Sequence, residues 1–208
     1  MDNANPGRAS WRTLWRDEGW CVTFAAENPA AVWLACVARP GLVAELEAVY
    51  LMIADQVAAR GPACWASGRC CNFAKAGHRL YTTGLEAAYC VSRLPTSPTR
   101  EAGLGQLGAR EENHQEVGLE SRPTLSAATL ADAVARGDCP FLVSQLCGVH
   151  TLKPAACRVY FCDEAATQWQ NELSERVHAQ IRALHDRHAV PYRYGEWREL
   201  LGLFVTEP

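Results

Sequence analysis

Apolar residues recur at steps of three and four along two long stretches of the chain, residues 41–60 and 167–188. In the first stretch they are Leu42, Leu46, Val49, Tyr50, Ile53 and Val57. In the second they are Trp169, Leu173, Val177, Ile181 and Leu184. This spacing puts each set on one face of a helix, so the pattern predicts two long amphipathic helices. Pro40 suits the start of the first helix, and Gly61-Pro62 stops it.

Shorter stretches predict further helices. Residues 84–91 predict a short helix that carries Cys90, and residues 195–203 predict a last short one. Residues 125–136 predict a helix with Leu130 and Val134 on one face and Gly137 as its C-terminal stop. The apolar run at 30–38 is far shorter than the roughly 20 residues that cross a bilayer. We therefore interpret it as buried core.

The rest of the chain lacks a regular period. Residues 95–123 combine Pro, Gly and charged residues, which is typical of a mobile connection. No clear run alternates apolar and polar residues as a half-buried strand does. We therefore expect a mainly α fold, a single domain of amphipathic helices around a cysteine-rich, loop-organised metal site. This cysteine-cluster domain covers residues 41–208 with a mobile insertion at about 95–123, and follows a partly loose N-terminal segment, residues 1–40.

Composition excludes some classes of protein. Hydrophobic residues make up 49% of the 208 residues and charged residues 21%, which is ordinary for a globular chain with a sizeable core. The formal net charge is -3 and the isoelectric point about 6.1, so no overall positive field is available to hold a phosphate backbone. Nucleic acid is not an expected partner.

The cysteine content raises the question of redox compartment. The chain has 10 cysteines. Its first residues have neither the basic start nor the apolar run of a secretory signal, and no run is long enough for a membrane span, so a cytoplasmic location is expected. Cytosolic thiols are kept reduced, which favours metal binding or catalysis over disulfides.

Seven of the cysteines form two groups far apart in sequence. The first group is Cys64, Cys70 and Cys71, and the second is Cys139, Cys147, Cys157 and Cys162. The cations around the first group are not matched by acids: between residues 56 and 85 the charged side chains are Arg60, Arg69, Lys75 and Arg79. The second group likewise contains Lys153 and Arg158 and no acid. Such a local field favours ionised thiols, the form that binds zinc or iron.

Several alternatives remain open on spacing alone. Seven thiols exceed the four that one zinc ion or one ordinary iron–sulfur cluster needs, and Cys90 would make eight. Either some of these cysteines lie near the metal without binding it, or there are two metal centres. The interpretation that involves no metal is a disulfide framework or scattered buried thiols. His78 and His150 lie near the cysteine groups, but such residues are more often surface or capping residues than ligands. The isolated Cys21 and Cys36 are interpreted as core packing.

One family resemblance adds to these observations. Cys64, the pair Cys70-Cys71, and the run from Cys147 through Lys153-Pro154 to Cys157-Arg158 resemble the YkgJ-type cysteine-cluster family, a zinc- or iron-chelating domain. The resemblance spans residues 64–165, and the spacing between Cys64 and Cys70 is longer than the family's. It implies metal binding. Relatives that carry this cluster within larger enzymes, such as flagellin lysine methylases, point to an iron–sulfur centre.

Together these observations predict a metal-binding cysteine-cluster protein. The favoured cofactor is an iron–sulfur cluster, [4Fe–4S] ahead of other types, in a redox or accessory role; the alternative is a structural zinc module for interaction with a protein partner. The predicted metal ligands are Cys64, Cys70, Cys71, Cys139, Cys147, Cys157 and Cys162. No glycine-rich nucleotide loop, nucleophile elbow or paired acid–base signature is visible. The chain is therefore not expected to be an enzyme on its own.

Overall fold

The computed structural model of the chain describes residues 28–63, 67–95 and 124–205. In chain order, its helices are α1 (Pro29–Val37), α2 (Pro40–Arg60), α3 (Phe73–Ala76), α4 (Gly84–Val91), α5 (Ala127–Arg136), α6 (Ala155–Val159), α7 (Thr167–Arg187) and α8 (Trp197–Gly202). A 3-10 turn, Glu164–Ala166, leads into α7. Strands β1 (Tyr81–Thr83) and β4 (Tyr194–Glu196) pair antiparallel, as do β2 (Leu142–Val143) and β3 (Leu146–Cys147). The prediction of a mainly α fold is confirmed.

The two long helices, α2 and α7, pack against each other and carry much of the core. Their buried apolar residues all lie on the predicted faces: Leu42, Leu46, Tyr50, Ile53, Leu173, Val177, Ile181 and Leu184. Arg187 Nη2 also lies 2.6 Å from Glu45 Oε2 on α2. Within the described ranges, no helix is both long enough and apolar enough to cross a bilayer.

The apolar run at 30–38 forms α1, which packs on α4. Asn28 caps α1 by accepting a hydrogen bond from the amide of Ala30. The Trp33 ring is 1% exposed, and its indole N–H donates to the carbonyl of Pro191 at 2.8 Å. One face of the run is therefore buried core, as predicted, whereas Leu34 on the other face is 38% exposed. The close contact of α1 with α4 depends on Gly84, because a Cβ there would lie 2.3 Å from the Trp33 ring.

We expect Gly84→Ala to destabilise the fold by about 1–3 kcal/mol, since the added methyl must displace a fully packed indole. Gly41→Ala is the matched control, because a Cβ at this glycine in α2 meets no atom within 4 Å. Alanine is the better helix former by up to about 1 kcal/mol, so the control should be neutral or stabilising. Urea denaturation of both variants measures the difference. Equal effects of the two substitutions would contradict this account of the α1–α4 contact.

Two predicted elements need correction. In α5, Leu130 and Ala133 are buried but Val134 is 52% exposed, so Val134 does not share the buried face with Leu130. The last predicted helix, residues 195–203, begins only at Trp197, because residues 194–196 form β4 instead. The Glu196 carboxylate accepts the amides of the first turn of α8 and thereby marks where that helix begins.

Some predictions fall on parts of the chain that the structure does not describe. Residues 1–27, 64–66, 96–123 and 206–208 lie outside the described ranges. The predicted mobile insertion at about 95–123 falls almost entirely there, as do residues 1–27 of the predicted partly loose N-terminal segment, and both stay predictions. Residues 28–40 of that segment are described and include α1.

His185, near the end of α7, is a buried core histidine. It is 1% exposed, and its Nδ1 lies 3.2 Å from the carbonyl oxygen of Val190, so Nδ1–H is the donor. Its Nε2 is buried and has no hydrogen-bond partner in the described part of the chain. Burial lowers the pKa of His185 below 6.5, and it outweighs the charges of Glu86 and Asp186, which act to raise that pKa.

This burial predicts a pH dependence of stability. The pKa of His185 is lower in the folded chain than in the unfolded one, so protonation favours unfolding; its contribution is complete above about pH 6.5 and is lost as the pH falls. The free energy of unfolding of wild type should therefore drop more steeply between about pH 7 and pH 5 than that of His185→Gln, by up to about 1.4 kcal/mol per unit. A His185→Gln curve parallel to the wild-type curve would overturn the assignment.

Candidate metal centre

Backbone hydrogen bonds join the two cysteine-bearing segments directly. The amide of Cys139 donates to the carbonyl of Cys71 at 2.7 Å, and the amide of Ala74 donates to the carbonyl of Gly137 at 2.9 Å. Gly137, with φ +73, ends α5, and a Cβ there would lie 2.6 Å from Cβ of Ala74. The close approach therefore needs a glycine at that turn.

A second glycine holds the Cys70–Cys71 turn against the β2–β3 hairpin. Gly68 has φ +66, and a Cβ there would lie 2.7 Å from the carbonyl oxygen of Gln145. Its own carbonyl accepts the amide of Cys71 at 2.9 Å. The hairpin places Cys147 opposite Leu142. Three segments of the chain, each with a cysteine, thus meet at one place.

The thiol of Cys71 lies at the centre of the cluster. It hydrogen-bonds to Cys139, Cys147 and Cys70, and these contacts raise the pKa of Cys71 far above its usual range. Acceptance of a hydrogen bond from Cys71 lowers the pKa of Cys70 to about 6 and that of Cys147 to about 7. The group therefore keeps a proton on Cys71 and concentrates negative charge on Cys70 and Cys147. We call these four residues the thiol cluster.

Two basic residues of the second segment support this charge in different ways. The positive charge of Lys153 lowers the pKa of both Cys70 and Cys147. Arg158 holds the loop that carries Lys153: its Nε donates to the carbonyl of Lys153 at 2.8 Å and its Nη2 to that of Thr151 at 2.6 Å. The guanidinium carbon of Arg158 also lies 4.1 Å from the ring centroid of Tyr50. Lys153 thus offsets the negative charge of the thiolates, and Arg158 holds the loop that positions Lys153.

Two more thiols border the cluster. Cys157 lies in α6, where desolvation raises the pKa of its thiol, and the charges of Cys139 and Cys147 raise it further. Cys90 is fully buried in α4, and burial raises the pKa of its thiol to about 12. Cys139 and Cys147 act on Cys90 as well. Both are therefore close to the negative charge without sharing the Cys71 proton.

Glu86 anchors the helix that carries Cys157. This glutamate is 3% exposed, and its Oε1 accepts the amide of Ala155, the first residue of α6, at 2.8 Å. Its Oε2 accepts from the hydroxyls of Thr82 and Thr83 at 2.8 and 2.9 Å. Tyr50 OH, 3.4 Å from Oε1, completes the set. A single carboxylate thus ties α2, β1, α4 and α6 together beneath the site.

The structure brings together some of the predicted ligands and not others. Cys70, Cys71, Cys139 and Cys147 share hydrogen bonds, and Cys157 borders them. Cys64 lies outside the described ranges. Cys162 follows α6 and lies near Tyr160, whose pKa it acts to raise.

The two candidate histidines differ in their surroundings. His150 is exposed, and its Nε2 lies 3.1 Å from Nζ of Lys153. His78 lies against the cysteine turn, where its ring packs 4.9 Å from the Tyr160 ring and interacts with the backbone of Cys70. Burial lowers the pKa of His78, so it is neutral near pH 7.

The donor set fits a thiolate-bound metal in its chemistry. Zinc–sulfur bonds of about 2.3 Å imply sulfur–sulfur separations of roughly 3.8 Å around a tetrahedron, which is close to thiol–thiol hydrogen-bond contact. As the side chains stand, however, no three His, Cys, Asp or Glu residues within 28–63, 67–95 and 124–205 meet the geometry of a metal-ion site. Metal binding would therefore require these thiols to lose their shared proton and reorient slightly.

Sequence reasoning missed the supporting residues around the thiols. Glu86 and Thr83 form a capping box, a pattern readable from Thr83 followed three residues later by Glu86. That pattern predicts a helix start, but not that the carboxylate is buried or reaches α6. Nothing local marks Gly68, because its role depends on Gln145, far along the chain.

Comparison of the chain with family models, curated proteins and solved structures gives no match.

Proposed function

We propose that this chain is a metal-binding protein of the YkgJ-type cysteine-cluster family that holds an iron–sulfur cluster, with [4Fe–4S] favoured, in a redox or accessory role. The observation that carries the proposal is the contact of the Cys71 thiol with Cys70, Cys139 and Cys147. The backbone hydrogen bond from Cys139 to Cys71 joins the two segments at this point. Reduced thiols from remote segments rarely gather this closely without a function, because each thiolate repels the next.

The surrounding residues support the same proposal. Cys70, Cys71, Cys139 and Cys147 would hold the cluster, with Cys64, Cys157 or Cys162 as further ligands. When bound, an iron–sulfur cluster supplies one-electron transfer, with a potential set by charge, hydrogen bonds and burial. Lys153 offsets the thiolate charge, and Phe141 and Val149, 0% and 4% exposed, exclude water from the same region.

A structural zinc ion is the second candidate. Cys71 and the three cysteines that its thiol contacts number four, as many as the ligands of a structural zinc site. Cys71 and Cys139 are 6% and 5% exposed, as expected of a closed site with no open coordination position. In this case the metal would join the two segments, and the surface would serve a protein partner.

The cytoplasm is the proposed location. Its reducing thiol pool keeps cysteines available for metal, and none of the eight described cysteines forms a disulfide: Cys36, Cys70, Cys71, Cys90, Cys139, Cys147, Cys157 and Cys162.

Anaerobic purification followed by metal analysis, sulfide analysis and a visible spectrum tests the proposal. Brown protein with iron and acid-labile sulfide supports the iron–sulfur form, and colourless protein with one zinc per chain supports the structural form. Full-length folded protein that contains neither metal and does not bind either on reconstitution would refute both.

A further inference from the structure

A surface pocket of about 240 Å³ opens beside the thiol cluster. Its lining includes Cys70, His78, Arg79, Tyr81, Tyr160 and Tyr194. Ligand pockets for drug-sized molecules are commonly about 300–1,000 Å³. This one therefore suits a smaller ligand, of about one ring with a few substituents.

Aromatic rings supply much of the pocket lining. Tyr81 and Tyr194 stack with their centroids 6.1 Å apart and their planes at 25°. They are diagonal neighbours on the β1–β4 pair, since Thr83 lies opposite Tyr194. Both remain open to solvent, at 43% and 49% exposure. The second ring pair, His78 and Tyr160, has its centroids 4.9 Å apart. Flat, partly exposed ring faces of this kind favour a planar ligand.

Charges of both signs border the pocket: the Arg79 guanidinium, and on the side of the thiol cluster the Cys70 thiol, whose pKa is lowered to about 6. Arg79 is exposed and makes no ion pair or hydrogen bond with any described residue, and no aspartate or glutamate lines the pocket. The charge of Arg69 also acts on His78 and Tyr160. A guanidinium without a carboxylate partner next to neutral phenols is suited to bind a carboxylate.

We propose that this pocket binds a small planar organic anion, an aromatic or conjugated carboxylate, whose ring packs on Tyr81 and Tyr194 and whose carboxylate pairs with Arg79. Because Cys70 and Cys157 also line the pocket, the ligand lies next to the thiolates of the proposed metal centre. Only that neighbourhood rests on the proposed function; the binding itself depends on the rings and on Arg79.

Tyrosine clusters also bind organic cations by cation–π contact. Here Arg79 lines the pocket and Arg69 acts on two of its rings, so two guanidinium charges oppose a cation, whereas the Cys70 thiolate alone attracts one. The anion is therefore the occupant that the charges favour, and preference for a cation is an outcome of the test.

Three probes of nearly equal shape test the charge preference: benzoate, benzamide and benzamidine, titrated into the full-length, metal-loaded protein by calorimetry or NMR. We expect benzoate to bind about two- to fivefold more tightly than benzamide, the effect of one partly exposed ion pair. Benzamidine should bind least tightly. Arg79→Gln should bring benzoate and benzamide to equal affinity, whereas Arg176→Gln, an exposed arginine of α7 outside the pocket, should leave the difference intact. Tyr194→Ala should weaken benzoate and benzamide alike.

The inference is overturned by tighter binding of benzamidine, by equal affinities in wild type, by an unchanged benzoate preference in Arg79→Gln, or by no saturable binding at millimolar concentration. Metal content measured on the same samples separates this result from the fate of the metal proposal. Loss of metal with an intact benzoate preference counts only against the metal centre, and loaded metal with no preference counts only against the pocket.

Discussion

Cys71→Ser is expected to bind metal at least about 10- to 100-fold more weakly than wild type, and so to lose it to a chelator that leaves wild type loaded. Removal of a residue that only supports a metal ligand costs about 10- to 100-fold in metal affinity, so loss of the central ligand should cost at least that. The effect is assigned to Cys71 because its thiol contacts the cysteines of both segments. Metal analysis of anaerobically purified protein, before and after incubation with a chelator, measures the loss of metal binding. Circular dichroism checks that the variant is folded.

Cys36→Ser is the matched control for this result. Cys36 is 0% exposed in α1, a helix that carries none of the predicted metal ligands. Its replacement should leave the metal content unchanged, even where it lowers stability. Equal metal content in wild type and folded Cys71→Ser after the chelator would remove Cys71 from the ligand set and with it the geometry argued above.

Glu86→Ala is expected to lower the free energy of unfolding by about 3–5 kcal/mol, an effect of the size seen when a buried polar network loses one partner. The substitution leaves the hydroxyls of Thr82 and Thr83 and the amide of Ala155 without their acceptor. Because Ala155 begins the helix of Cys157, the metal content should fall as well. Urea denaturation and metal analysis of the same preparation measure both effects.

Glu175→Ala provides the comparison for Glu86→Ala. Glu175 is exposed on α7 and has no hydrogen bond or ion pair with a described residue. Its removal should change stability by no more than about 0.5 kcal/mol. If Glu86→Ala stays within that same range, Glu86 does not anchor α6.

The helices were predictable from sequence because burial of one face imposes a period on the apolar residues. The faces of α2 and α7 follow that rule along their whole length. Val134 shows where it stops: a valine at helical spacing from Leu130 is exposed, because the core side of α5 turns toward Ala133. Three-residue strands such as β4 carry too few residues for a period, so only the pairing with β1 defines them.

The candidate site was predictable in its residue types and not in its construction. Clustered cysteines with nearby cations are visible in the sequence, since thiolates need charge compensation. The contacts that assemble them are long-range and mostly made by the backbone, as between Cys139 and Cys71, and no local pattern encodes them. The anchoring role of Glu86 and the position of Arg79 in the pocket were missed for a related reason. The burial of Glu86 and the lack of a carboxylate partner for Arg79 among the described residues both depend on distant neighbours.

A crystal structure of the anaerobically purified protein, with anomalous data collected at the metal edge, tests the central claim most directly. The account predicts a single site of anomalous density, one zinc ion or the irons of one cluster, with metal–sulfur bonds of about 2.3 Å to cysteines of both segments, including at least one of Cys70 and Cys71 and at least one of Cys139 and Cys147. A peak bound by cysteines of one segment only, or disulfides among these four residues in native protein, would contradict it.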